Sequence, residues 1–145
     1  MRTKKTGIFL FVFFFSSISL FSQEEIGKIF TNIEADSLYG SVIDSYIMNT
    51  DSLIMLLNET HQKAMFSLKD NNFLIAGDSR KIIFPAEAKI SAEMEMRVLS
   101  KIKVLELIAK GRKDQVVFEN RKAVFSVSNG EFTLELSWPC PPYCD

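Results

Sequence analysis

Residues 123–136 read AVFSVSNGEFTLEL, and this stretch gives the clearest prediction of local structure in the chain. The pair Asn129-Gly130 accepts the positive φ angles of a type I′ turn, and apolar residues alternate with polar ones on both sides of it. With these two residues as the loop, three facing pairs form on one side of the hairpin: Val127 with Phe132, Phe125 with Leu134, and Ala123 with Leu136. The stretch therefore predicts an antiparallel hairpin with one buried face.

Upstream of this hairpin the same kinds of segment occur twice. Alternating apolar residues predict strands at 42–48, from Ala64 onward, at 73–76 and 82–84, and again at 94–98 and 115–119. Asn49 to Asp51 and Ser100 are suited to cap two amphipathic helices, and Gly111 suits the left-handed position after the second helix. These segments predict an α+β fold with an antiparallel sheet and two main helices packed on it.

The two halves also align with each other at an offset of 52 residues without gaps. The alignment pairs Phe66 with Phe118 and Phe73 with Phe125, and it places the turn Gly77-Asp78 on the predicted Asn129-Gly130 turn. One interpretation is a tandem of two β-α-β-β-β units at 42–84 and 94–136. The alternative is that any two α+β stretches align their apolar positions after sliding, and superposition of the two segments decides between them.

The N-terminal residues 1–22 have the organisation of a secretory signal peptide. Arg2, Lys4 and Lys5 precede an apolar run from Ile8 to Phe21, and serines are frequent at its end. The run is fourteen residues long, whereas about 20 are needed to cross a bilayer. We expect cleavage after Ser22, although Ser17-Ile18-Ser19 is a better small-x-small site. The mature chain is then exported, periplasmic or extracellular, and touches a membrane only through this segment if it stays uncleaved.

The mature chain 23–145 has the size of a single domain. Removing residues 1–22 takes away three positive charges, so the formal net charge moves from −1 to about −4. Nucleic acid is therefore not an expected partner.

Near the start of the mature chain, four apolar residues lie at helical spacing: Ile26, Ile29, Phe30 and Ile33. This spacing predicts a short helix over 23–33, followed by a turn at 36–40.

Both cysteines lie in the C-terminal sequence Cys140-Pro141-Pro142-Tyr143-Cys144. In an exported protein such a pair predicts a disulfide. An extended polyproline segment would separate the two Cα atoms by about 12 Å, and a disulfide needs roughly 4.4 to 6.8 Å. Closure therefore requires a bend, for which we expect a type I turn with Pro142 second and Tyr143 third.

The alternatives for Cys140 and Cys144 are two unpaired thiols, or a metal site or redox pair. The spacing is similar to the C-x-x-x-C copper site of the Sco assembly proteins, a resemblance that covers five residues. That family also uses a downstream histidine, whereas His61, the single histidine of this chain, lies upstream. The resemblance implies thiolate ligands for Cu(I) at these two positions and nothing elsewhere.

No stretch matches a catalytic signature. The chain has no G-x-S-x-G, H-E-x-x-H, phosphate-binding glycine loop or EF-hand loop, and His61 lies among polar residues just after a predicted helix. We therefore expect no enzyme and no cofactor. The sequence favours a small soluble exported domain with a non-catalytic binding or interaction role. It does not identify the partner, for which a protein or peptide is one class. The alternative is a thiol-based metal-binding or redox protein that uses Cys140 and Cys144.

Overall fold

A computed structural model describes residues 25–144, and it has an α+β fold with two antiparallel sheets. In chain order the elements are β1 (Lys28–Thr31), α1 (Asn32–Tyr39), β2 (Val42–Asn49), α2 (Thr50–Leu57), β3 (Lys63–Lys69), β4 (Asn72–Ala76), a 3₁₀ turn (Asp78–Arg80), β5 (Ile82–Phe84), β6 (Met96–Ser100), α3 (Lys101–Gly111), β7 (Gln115–Arg121), β8 (Phe125–Asn129), β9 (Phe132–Glu135) and β10 (Trp138–Cys140). The predicted fold class is confirmed, although the strands form two sheets of five rather than one.

Each of the two sheets contains strands from both halves of the chain. Sheet A has the order β1-β9-β8-β7-β2, and sheet B has the order β10-β6-β3-β4-β5. The first strand of each half thus pairs with the second strand of the other half, as β2 with β7 and β6 with β3. Both halves run strand, helix and three strands, and moving β3 by 52 residues gives the bounds of β7. Superposition of 42–84 on 94–136 stays a prediction.

The main core combines residues of both sheets with the inner faces of α2 and α3. Phe66 of β3 and Phe118 of β7 are fully buried, and their ring centroids lie 5.1 Å apart. The remaining buried members are mostly aliphatic: Met48, Leu53, Leu57, Ala64, Leu68, Phe73, Ile75, Leu99, Val104, Leu107, Val116, Phe125, Val127 and Leu134. Because both sheets and both helices contribute, burial of this core stabilises the two halves together.

A second apolar cluster covers the other face of sheet B. Its buried members are Ile26, Met65, Leu74, Ala76, Met96, Val98 and Cys140, and its partly buried members are Ala88, Ile90, Met94, Trp138 and Cys144. The alternation of β3 explains this arrangement, since Met65 and Phe66 point to opposite faces of the sheet. The C-terminal cysteines therefore lie within packed structure.

The hairpin is present, but its predicted register is wrong by two residues. Val127 pairs with Leu134 and Asn129 pairs with Phe132, so that the loop is Gly130-Glu131. Asn129 stays in the strand because its side chain donates to the carbonyls of Lys113 and Gln115 at 3.1 and 2.8 Å. A shift of two residues keeps every side chain on its face, so the predicted burial of Phe125, Val127 and Leu134 is confirmed. Ala123 and Leu136, which were predicted on the same buried face, are exposed.

The helix predicted over 23–33 is also wrong. Residues 28–31 form β1, an edge strand that pairs with β9, and helix α1 begins only at Asn32. Thr31 and Glu34 form a capping box in which the Thr31 side chain accepts from the Glu34 N–H and the Glu34 carboxylate accepts from the Thr31 N–H. The predicted turn over 36–40 is helical as far as Tyr39.

The helix ends in the two halves are only partly as expected. Asn49 caps α2, and its side chain accepts from the N–H groups of Asp51 and Ser52. Ser100 precedes α3, but its hydroxyl instead accepts from the Ile26 N–H at 2.7 Å. The left-handed residue after α3 is Arg112, so the expectation for Gly111 is wrong.

The predicted signal peptide lies outside the described residues. Between residues 25 and 144 no helix is long and apolar enough to cross a membrane.

Candidate binding cleft

A cleft with a volume of about 1050 Å³ opens beside the β3–β4 hairpin. One wall is formed by residues 66–74 of the hairpin, and the opposite wall is formed by residues 85–97, which lead from β5 into β6. Asn120 and Phe125 of sheet A also line it. The cleft therefore lies where both sheets and a long connection meet.

The floor of the cleft is aromatic and firmly packed. Phe66, Phe73 and Phe125 line it and also belong to the main core. The ring centroid of Phe66 lies 6.4 Å from that of Phe73 and 5.9 Å from that of Phe125, in stacked orientations. Leu74 and Met94 add further apolar surface. The three rings are 0 to 6% exposed, so they hold the floor in place, and a ligand would mainly meet the part-exposed side chains around it.

The cleft exists because the pairing of β3 with β6 stops before the end of β3. β3 pairs with β4 from Met65 to Lys69, but it pairs with β6 only as far as Phe66, which lies opposite Arg97. Ser67 to Lys69 consequently have no strand beside them on that side among the described residues. The Leu68 carbonyl accepts a hydrogen bond from the Asn120 side chain at 2.7 Å. That bond links sheet A to sheet B at the wall of the cleft.

The rim of the cleft carries six charged side chains of mixed sign. Three are basic and three are acidic: Lys69, Lys89, Arg97, Asp70, Glu93 and Glu95. Arg97 and Glu95 form an ion pair at 2.6 Å, and both side chains keep substantial exposure. The formal charge of the rim is therefore zero, which gives no preference for a strongly charged ligand.

Arg80 holds the wall formed by residues 85–97. Its Nη2 atom donates to the carbonyls of Ser91 and Met94, each at 3.0 Å, and its Nη1 atom donates to the Ala92 carbonyl at 3.4 Å. The guanidinium is a rigid fork with several donors, so one side chain can fix a segment that has little regular structure of its own.

Arg80 is itself positioned by the 3₁₀ turn that starts at Asp78. The Asp78 carboxylate accepts hydrogen bonds from the side chain of Thr60 and from the backbone N–H groups of His61, Gln62 and Lys63, at 2.7 to 3.1 Å. Partial burial raises the pKa of Asp78, but these hydrogen bonds outweigh it and hold that pKa below its usual value. His61 is exposed and contributes its backbone here, and it does not line the cleft.

The Sγ atoms of Cys140 and Cys144 lie at disulfide distance, and the Cα atoms are 4.8 Å apart. The bend that brings them together differs from the expected type I turn. The peptide bonds before Pro141 and Pro142 are cis, and the Tyr143 N–H donates to the Pro139 carbonyl at 3.1 Å. Cys140 is fully buried in the second cluster, and Cys144 is half-buried with its Sγ atom 3.7 Å from Arg80 Nη1.

Metal ligands are not grouped around these cysteines. Within residues 25–144 no set of three or more His, Cys, Asp or Glu side chains is placed to hold one metal ion. The pair at disulfide distance, together with the lack of a membrane-spanning helix in the described part of the chain, is compatible with export.

A buried charged cluster lies on the face of sheet A that is turned away from the main core. Glu135 and Arg121 are its centre, with side chains that are 0% and 3% exposed, and Glu119 and Asp36 also contact Arg121. Burial raises the pKa of Glu135 to about 7, against the opposing effects of Ser126 and Arg121. Sequence reasoning missed this cluster, because an alternating hairpin normally places such polar residues in solvent.

Comparisons with protein-family models, with curated proteins and with solved structures gave no match.

Proposed function

We propose that the mature chain is an exported, non-catalytic binding protein and that the cleft beside the β3–β4 hairpin is its binding site. The observation that carries this proposal is the combination of a volume of about 1050 Å³ with an aromatic floor and a charged rim. Ligand sites are usually clefts of about 300 to 1,000 Å³.

The chemistry of the cleft favours a peptide in an extended conformation. Apolar side chains of such a peptide would pack on the part-exposed side chains of Pro85, Ala88 and Met94, and its backbone would run along residues 67–69, where β3 lacks a neighbour on one side. The zero formal charge of the rim favours an uncharged or mixed-charge sequence. Binding is then expected to change little between low and physiological salt.

A pair of matched variants tests the site. Ala88 lines the cleft and is half-buried, whereas Ala123 lies exposed in the connection between β7 and β8. Peptides selected from a random library on residues 23–145 should bind the wild type and Ala123→Trp alike. Ala88→Trp should weaken that binding by about tenfold or more, because an indole would occupy the space of the ligand. Equal binding by both variants would remove the cleft from consideration.

A second candidate function, thiol chemistry, is favoured by one contact. The Arg80 guanidinium lies 3.7 Å from Cys144 Sγ, and a neighbouring cation stabilises a thiolate when the pair is reduced. Copper titration of the reduced protein separates this candidate from peptide binding. If the double variant Cys140→Ser, Cys144→Ser keeps the metal content and every phenotype of the wild type, then thiol chemistry is not the function.

A further inference from the structure

Helix α1 covers the buried charged cluster and is attached to sheet A by polar contacts. At its start, the Asn32 side chain accepts from the Thr133 hydroxyl at 2.7 Å and donates to the Gly130 carbonyl at 2.9 Å. At its end, Arg121 Nη1 donates to Asp36 and to the Gly40 carbonyl, both at 2.6 Å. Ala35 is the single buried residue of the helix. The attachment therefore depends on hydrogen bonds and charge more than on apolar packing.

Arg121 lies among three carboxylates. Its Nη1 atom is 2.6 Å from Asp36, its Nη2 atom is 3.1 Å from Glu119, and its Nε atom is 3.7 Å from Glu135 Oε1. Two buried atoms in this group have no hydrogen-bond partner, namely Arg121 Nε and Glu135 Oε2. Glu135 Oε1 accepts from the Ser126 hydroxyl at 2.6 Å. This geometry suits a neutral Glu135, because an ionised carboxylate at a fully buried position requires more than one donor.

We propose that α1 is a pH-sensitive latch on sheet A, in which a proton on Glu135 leaves Arg121 bound to Asp36 and Gly40, and loss of that proton loosens the helix. Once Glu135 is ionised, the free Nε–H of Arg121 is its nearest charged donor, and a small movement of the guanidinium toward it lengthens the bonds to α1. The added negative charge also repels Asp36. Both effects act in the same direction.

The other charged groups around Glu135 do not neutralise it. On β1, Lys28 lies opposite Glu135 in the strand register, but its Nζ atom lies over the Phe30 ring, 5.1 Å from the centroid. On β7, Glu119 is acidic and raises the pKa of Glu135 further. On α1, Asp36 is acidic and 64% exposed. The neighbouring strand β8 contributes the hydroxyls of Ser126 and Ser128, which do not titrate. Among the residues that the structure describes, Arg121 alone can therefore balance the charge.

Amide hydrogen exchange of residues 32–40 tests the latch in the intact mature chain, with exchange times corrected for intrinsic rates at each pH. We expect protection of this segment to fall by about tenfold between pH 5.5 and pH 8, since opening hydrates Glu135 and returns its pKa toward the usual value. Glu135→Gln should abolish the pH dependence, whereas Glu131→Gln, an exposed residue in the neighbouring loop, should keep it.

Two further variants test the latch if Glu135→Gln does not fold. Ser126→Ala removes a hydrogen bond that lowers the pKa of Glu135 in the closed state, so the loss of protection should continue to higher pH than in the wild type. Asp36→Asn removes the charged contact on α1 and should lower protection already at pH 5.5. Protection of the wild type that does not change with pH, or a Ser126→Ala profile identical to it, would overturn the latch. The latch is independent of the proposed peptide site.

Discussion

Met48 of β2 lies opposite Val116 of β7, and this pairing joins the first half of the chain to the second within one sheet. In the other sheet, Ala64 of β3 lies opposite Leu99 of β6. Each half therefore adds its first strand to the sheet that holds the last three strands of the other half. In neither half does the first strand belong to the same sheet as the other three strands of that half. Folding of one half alone would leave its sheet without that strand and would leave the main core open.

The exchange of strands predicts a single cooperative unfolding transition. Urea unfolding followed by the fluorescence of Trp138, at the edge of sheet B, should coincide with unfolding followed by circular dichroism, to which both sheets contribute. Phe118→Ala, on sheet A, should lower the free energy of unfolding by about 3 to 5 kcal/mol in both measurements. Two separate transitions would show that the halves unfold independently.

The buried Glu135 predicts a stability that falls with rising pH. Its pKa is about 7 in the folded state and 4.5 at its usual value, so the folded state binds more protons in that window. At about 1.4 kcal/mol per pKa unit, the folded state loses about 3 kcal/mol relative to the unfolded state between pH 4 and pH 8. Glu135→Gln should therefore match the wild type at pH 4 and exceed it at pH 8 in chemical denaturation.

The control for this measurement is Glu131→Gln, which makes the same chemical change at an exposed position. It should leave the difference between pH 4 and pH 8 as it is in the wild type. A Glu135→Gln protein that gains nothing at pH 8 would mean that the carboxylate is ionised without cost, and the buried cluster would then need a different description.

Position 111 requires glycine because Asn129 lies close to it, and not because of its backbone angles. A Cβ atom at this position would overlap the side-chain oxygen and the carbonyl of Asn129, in the central part of sheet A. Gly111→Ala should therefore destabilise the protein by about 1 to 3 kcal/mol, although the same change in a helix usually stabilises by up to about 1 kcal/mol. Ser37→Ala on the exposed side of α1 serves as control. A stabilised Gly111→Ala protein would contradict the close approach.

Reduction of the Cys140–Cys144 pair should lower stability modestly. The chain-entropy estimate for a loop of five residues is about 2 kcal/mol. Cys144→Ser should reproduce this loss in denaturation experiments, and Cys140→Ser should lose more because it places a hydroxyl at a fully buried position. Identical stability with and without reductant would show that the two sulfurs are not joined in the purified protein.

Local features of the fold could be predicted from the sequence, and nonlocal ones could not. The strands at 42–49 and 63–69 and the cap at Asn49 follow from short-range patterns. The strand β1 was mistaken for a helix because its conformation depends on pairing with β9, about a hundred residues away. Likewise, the hairpin register depends on the bonds that hold Asn129 to Lys113 and Gln115.

Even less of the candidate site could be predicted from the sequence. The cleft arises because β6 pairs with β3 only from Arg97 onward, and no local pattern indicates that point. Phe66 and Phe125 could be identified as apolar strand residues, but their meeting in the floor of a cleft depends on the packing of the two sheets. The role of Arg80 was missed because a single arginine in a turn resembles any exposed basic residue.

The most direct test of the binding proposal is an amide chemical-shift map of ¹⁵N-labelled residues 23–145, titrated with a peptide selected on them. We expect the shifts to concentrate in residues 66–74 and 85–97, with a weaker response at Asn120 and Phe125. Shifts confined to β2 or to α1, with none along the β3–β4 hairpin, would contradict it.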